Sequence, residues 1–319
     1  MNIVLGKITN FTEEKIKMSE ETYHIPALFE ESLEGLDIKP GGIYVDVTFG
    51  GGGHSRGILA RLGEEGKLYG FDRDMDAFRN VPDDERFTFV HSNFRYLSNF
   101  MRYHGEDSVD GVLADLGVSF HHFDSAERGF SFRSDAPLEM RMNRRGGRTA
   151  ADILAEYDEQ QLFSLLRTYT DLKRPGNIVK AILSRRRQGG INTTLELVEA
   201  VKGTINPRQE KKDLAQVFQA LRIEVNGEMD ALKAFLEASA KILRPEGRLA
   251  VITYHSIEDR IVKNFIKTGN VEGIEEKDFF GKVHTPWKAI TRTPIVPSEE
   301  EIERNPRSRS AKLRIAEKL

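Results

Sequence analysis

Short apolar runs alternate with helix-length spacers through the first third of this chain. Four of them, 43–49 (IYVDVTF), 67–72 (KLYGFD), 87–92 (FTFVHS) and 109–118 (VDGVLADLGV), are rich in β-branched and aromatic residues and too short for helices. They predict four strands. Strands joined by helical spacers form βαβ units, which assemble into a parallel sheet. A fifth run, 247–255 (GRLAVITYH), comes only after a long interval, and two extended stretches near 288–296 and 311–319 are expected to pair as an antiparallel edge hairpin.

The long interval reads as helix by its period. DILAEY, QQLFSLLRTY, NIVKAIL and TTLELVEAVKG all fall between about 135 and 215. The last opens on Thr193-Thr194-Leu195-Glu196, a capping-box pattern, with Leu195, Val198 and Val201 spaced along one face. Residues 213–243 then read as helix returning to the core, stopped by Pro245 and Gly247. The expected fold class is therefore α/β: a Rossmann-like sheet, parallel with an antiparallel edge hairpin, that carries an inserted all-α domain over 135–215.

Composition narrows the chemistry. With 319 residues and 39% hydrophobic content there is ample material for a core. The net charge of −3 announces no nucleic acid globally, yet arginines cluster in RMNRRGGR (141–148) and SRRR (184–187). The absence of cysteine excludes disulfides, thiolate zinc, iron–sulfur clusters and thiol nucleophiles. No stretch approaches the roughly 20 apolar residues of a membrane span, and the first residues lack a signal-peptide run. The chain reads as cytoplasmic.

Four glycines follow the first strand directly in VDVTFGGGGHS (45–55). A strand-to-helix turn made of glycine exposes backbone N–H groups and lets a ligand lie against main chain. The phosphate-loop pattern fails, because the Gly-Lys pairs at 6, 66 and 281 are followed by Ile, Leu and Val. The G-x-G-x-x-G pattern fails as well, since the required glycine falls on Ser55, Arg56 or His54 in the three registers. What remains is a glycine turn with Asp72 at the tip of the second strand, placed to accept from both hydroxyls of a ribose. That geometry serves NAD and S-adenosylmethionine equally. Asp115, in the DLGVS turn that ends strand four, puts a polar group at the edge where a second reactant meets the first, which favours methyl transfer. Asp72 as a simple N-cap for a helix near Met75 is the structural alternative.

Eight blocks carry a resemblance: YHIPALFEE (23–31), TFGGGGHS (48–55), DLGVS (115–119), AERGFSF (126–132), PLEMRM (137–142), FQALRIEVN (218–226), HSIEDRIVK (255–263) and NPRSRSAKLRIAEK (305–318). In order and over nearly the whole chain, they resemble the bacterial ribosomal RNA small-subunit methyltransferase H family. The resemblance implies a class I methyltransferase fold, S-adenosylmethionine as cofactor, and methylation of a cytidine N4 in the decoding region of 16S rRNA. It makes 1–22 an N-terminal extension, 23–134 and 216–319 the two parts of the core, and 16S rRNA or the small ribosomal subunit the partner. By matching position it implies cofactor contacts at Gly52, Gly53, His54, Asp72, Phe94 and Asp115. The family's further contact, usually glutamine, falls on His122.

A cytosine amine is a poor nucleophile because its lone pair is delocalised into the ring. Acceptors aimed at its N–H groups stabilise the charge that develops on nitrogen, and Asp115 and Ser119 are the candidates. His255, at the end of strand five, either orients substrate or bonds locally to Asp259. Methylation at C5 needs a cysteine and is closed by composition. His121, His122, Asp124 and His255 invite a metal reading, but no metal is expected. Phe120, Phe123, Phe130 and Phe132 either hold a flipped base or pack in the core, and Arg141–Arg148, Arg307 and Arg309 are placed to grip phosphates.

Overall fold

The structure, a computed structural model, describes residues 26–117, 128–143, 146–277, 279–281 and 284–319. Its sheet is built from β1 (Ile43–Asp46), β2 (Lys67–Asp72), β3 (Phe87–His91), β4 (Val109–Asp115), β5 (Leu243–Thr253), β6 (Trp287–Ala289) and β7 (Lys312–Lys318). The order is β3-β2-β1-β4-β5-β7-β6. Strands β1 to β5 are parallel, and β7 runs antiparallel to both of its neighbours.

The five runs expected as strands all pair as strands. The late pair does form an antiparallel hairpin, but β7 sits one place in from the edge. Leu313, Arg314, Ile315 and Ala316 are buried in succession, which a strand achieves only when paired on both sides and covered on both faces. The three-residue β6, with two exposed positions, takes the edge.

Period-two alternation sorts the strand side chains onto two faces. Val45, Tyr69, Phe71, Val112, Ala114, Leu249 and Val251 face α3 (Leu97–Tyr103), α9 (Glu228–Ile242) and α10 (Ser256–Thr268). Tyr44, Leu68, Leu113, Ala250 and Ile252 face α1 (Phe29–Gly35) and α2 (Gly53–Leu59).

A third cluster is helical. It gathers α4 (Ala150–Glu156), α5 (Glu159–Tyr169), α6 (Pro175–Arg187), α7 (Thr194–Lys202) and much of α8 (Glu210–Asn226). The expected return to the sheet near 215 falls inside α8, whose Leu214, Val217, Phe218 and Leu221 still belong to this cluster. At α7 the capping box forms as read, with Thr193 and Glu196 exchanging side-chain bonds to each other's backbone N–H. Its buried face is Thr194, Leu197 and Val201, however, and Leu195 is exposed. Phe130 packs in this cluster, and the partly buried Phe132 packs against it, edge-on to Phe218. Phe120 and Phe123 lie outside the described residues.

The single helix expected over 213–243 is two, α8 and α9, broken at Gly227. Gly227 has φ +59, and a Cβ there would meet nothing within 4 Å. Its requirement is purely one of backbone, so Gly227→Ala is expected to lower stability by about 1–2 kcal/mol. Urea unfolding of the two proteins side by side measures it.

Candidate active site

Strand order reverses between β1 and β4, and in open α/β sheets ligands bind in the crevice at the carboxyl ends of strands beside such a switch. The glycine turn leaves β1 at this point and Asp115 ends β4 there. Gly50 (φ +48) and Gly52 (φ +74) are left-handed, and a Cβ on Gly52 would lie 2.9 Å from the Phe49 ring. Gly51 has open space where a side chain would stand. Two glycines therefore make the turn, and the third leaves its rim bare.

Asp72 at the tip of β2 reaches back to this turn. Its Oδ2 accepts from the Gly50 N–H at 2.8 Å and its Oδ1 from the Asp74 N–H at 2.8 Å. The N-cap of the 3₁₀ turn Met75–Asn80 is Asp74, not Asp72. Asp74 also pairs with the buried Arg128 at 2.8 Å, and Arg128 donates onward to the carbonyls of Arg141 and Met142. A cavity of about 140 Å³ opens beside this turn, lined by Arg73, Met75, His91 and Met142 among others. Phe94 stands at the end of β3, its ring edge-on to Phe235 at 5.6 Å.

Asp115 is held from three sides. Its backbone N–H donates to Thr48 Oγ1 at 2.6 Å, the Tyr254 hydroxyl donates to its Oδ1 at 2.8 Å, and its Oδ2 lies 3.8 Å from His54 Nδ1. Burial pushes its carboxyl up to about 7. The Tyr254 hydrogen bond works against this, while the charges of Asp46 and Glu258 add to it. The side chain nevertheless keeps 22% of its surface exposed, so it is reachable from outside. His54 is buried under the Phe29 ring, 5.9 Å away, and burial takes its imidazole down to about 4. It is neutral beside Asp115.

Three groups that sequence reasoning missed complete the site. Asp46 is 1% exposed, accepts from Ser55 Oγ at 2.7 Å and from the Thr48 N–H at 3.1 Å, and is pushed by burial up to about 6. Its signal was a carboxylate inside an apolar run of the sequence, VDV. Thr48 links Asp46 to the Asp115 backbone. Tyr254, adjacent to His255, had no local signal, because only strand pairing brings it to Asp115.

The local partner expected for His255 is corrected. His255 is the N-cap of α10 and shares a capping box with Glu258, its Nε2 lying 3.1 Å from Glu258 Oε1. Its local partner is thus Glu258. Asp259 instead holds Arg314 at 2.7 Å. Among the described residues His255 is tied to Asp115 through Glu258 and Tyr254, whose backbone N–H donates to Glu258 Oε2 at 2.9 Å. Burial opposes the charge on Glu258, but His255 and the other donors outweigh it and hold the carboxyl below the usual range.

Glu228, His255 and Glu258 each offer an atom within 4.8 Å of the others. Arg222 already grips Glu228 through two bonds of 2.9 Å, and its charge disfavours a cation there. Ser119 and His122 lie outside the described residues, as do His121 and Asp124.

A Rossmann-like sheet with an antiparallel seventh strand, a glycine turn, an acid on β2 and a second acid across the switch point defines the methyltransferase class. The sequence profile of the MraW methylase family matches residues 21–319, and the chain belongs to that family. A relative from Parabacteroides distasonis, named ribosomal RNA small subunit methyltransferase H, is 60% identical over 301 residues, covering 94% of this chain and 99% of its own. Relatives of the same name from Bacteroides thetaiotaomicron and Porphyromonas gingivalis are each 59% identical, over 95% and 94% of this chain and 100% and 98% of their own.

Proposed function

We propose that this protein transfers a methyl group from S-adenosylmethionine to N4 of a cytidine in the decoding region of 16S rRNA. The observation that carries the reading is Asp115, an accessible carboxylate at the switch point, set across from a glycine turn whose rim is bare. The names of the relatives, which are small-subunit rRNA methyltransferases, support the substrate class.

The residues fit the cofactor. Gly52, Gly53 and His54, in and after the glycine turn, would hold its amino-acid portion, Asp72 would accept from the ribose hydroxyls, and Phe94 would flank the adenine. When bound, S-adenosylmethionine supplies an electrophilic methyl group. The chain's own part is to present the amine and receive its proton. Asp115 accepts a hydrogen bond from the N4 amine, keeping the nitrogen lone pair directed at the methyl carbon, and takes the proton that the methylated nitrogen releases. Ser119 and His122, outside the described residues, are assigned by matching position alone as a substrate acceptor and a cofactor contact.

The RNA lies over the carboxyl edge of the sheet. Arg307 and Arg309 are exposed in the turn that leads into β7 at Lys312, which pairs with Thr253 at that edge. They are placed for phosphates. Arg141 and Arg186 serve the protein itself: Arg141 pairs with Glu139, and Arg186 donates to the carbonyls of Leu154 and Tyr157.

Because Asp115 acts as its carboxylate and burial places its pKa at about 7, kcat/KM is expected to fall as pH drops through 7. A pH profile of methyl transfer between pH 5.5 and 9 checks it, and a flat profile would remove Asp115 as the proton acceptor. Mass spectrometry of 16S rRNA, free and in small subunits, after incubation with labelled cofactor tests the reaction itself. Label on N4 of one cytidine is expected; label on another atom, or none, refutes the proposal.

A further inference from the structure

We infer that Tyr254 is the positioning residue for Asp115, its hydroxyl holding one carboxylate oxygen so that the other faces the incoming amine. The inference rests on the reading of Asp115 given above and goes beyond it by naming what aims that group.

The geometry is direct. The Tyr254 hydroxyl is 2.8 Å from Asp115 Oδ1, and among the described residues the neighbour of Oδ2 is His54, its Nδ1 3.8 Å away. Two atoms of Asp115 are thus fixed, the backbone nitrogen by Thr48 and Oδ1 by Tyr254. A carboxylate with one oxygen pinned has lost its free rotation, which is the condition for a group that must meet a substrate atom within a fraction of an ångström.

Tyr254 is itself immobilised. Its backbone N–H is bound by Glu258 Oε2, in the capping box that starts α10. Its ring lies along the turn that leaves β4, where a Cβ on Gly117 (φ +118) would stand 3.3 Å from Tyr254 Cδ2. One side chain thus backs both the acid and the backbone at Gly117. Burial and the neighbouring Asp115 charge raise the phenol well above its ordinary value, so it stays protonated and donates.

The groups facing Asp115 come from every element around it: Asp46 on β1, His54 on α2, Tyr254 after β5 and Glu258 on α10. Asp46 and Glu258 disfavour its charge, His54 is neutral, and Tyr254 is the donor among them that favours it.

The test compares wild type, Tyr254→Phe, Asp115→Asn and the double variant in full-length protein. Methyl transfer to small-subunit RNA is followed against pH, and S-adenosylhomocysteine binding is measured by calorimetry. Tyr254→Phe keeps the ring against Gly117. It is expected to bind S-adenosylhomocysteine like wild type, to lose roughly 10- to 100-fold in kcat, and to move the acid limb of the profile to higher pH. The double variant is expected to be no slower than Asp115→Asn alone, because the hydroxyl acts through that carboxylate.

Replacing Tyr254 with 3-fluorotyrosine retains the fold and strengthens the donor, so the limb is expected to move to lower pH. Wild-type rate and profile in Tyr254→Phe, or losses that multiply in the double variant, overturn the inference. Full activity in Asp115→Asn would instead overturn the reading on which it rests.

Discussion

Asp115→Asn is expected to lower kcat for methyl transfer by roughly 10²–10⁴, the range general-base groups contribute, with RNA affinity unchanged. The substitution keeps the shape of the side chain and leaves an oxygen to accept from Tyr254, so the network around it survives. What disappears is the capacity to take a proton. Asp46 does not substitute, because it is 1% exposed and its oxygens are occupied by Ser55 and Thr48. Tritium transfer to small-subunit RNA, with filter binding as the control for affinity, reads the two quantities separately. Turnover equal to wild type would move the chemistry elsewhere.

Asp72→Ala is expected to weaken S-adenosylmethionine binding by roughly 10- to 150-fold, the equivalent of about 1.5–3 kcal/mol for hydrogen bonds to a charged group. The loss has two sources. One is the ribose contact, and the other is the carboxylate that holds the Gly50 and Asp74 N–H groups and so shapes the glycine turn. Asp72→Asn keeps one of the two acceptor oxygens that hold the turn and loses the charge, so its affinity is expected to fall between wild type and Asp72→Ala. Calorimetric titration of both variants measures the difference, and wild-type affinity in Asp72→Ala would exclude Asp72 from the cofactor site.

Much of this molecule is local in origin. Strand runs were legible because each is a short β-branched segment bounded by turn residues, and β2 falls where its pattern placed it, at Lys67–Asp72. The capping box at Thr193 was legible for the same reason, since its two partners lie three residues apart. Errors arose where a choice depended on packing. Leu195 fits a helical stripe, yet the stripe one position round is the one that meets α6. Gly227 reads as an ordinary residue in a long helix until the chain must turn from the helical cluster back to the sheet.

The site divides along the same line. The glycine turn, Asp72 and Asp115 could be read because each sits at the end of a strand, and a parallel sheet brings all strand ends to one edge. The local partner of His255 was expected at Asp259 and is Glu258, because the capping geometry of a helix start selects the residue three positions on.

By itself, then, the sequence determined the element types, the parallel sheet and the acids and glycines along its carboxyl edge, since all of these follow from periodicity and residues close in the chain. Tertiary structure alone decided that β7 enters between β5 and β6 and that Tyr254 meets Asp115, 139 positions away. It likewise decided that burial raises two carboxyls of the site. Those outcomes depend on which distant surfaces exclude water together, and no local pattern carries that information.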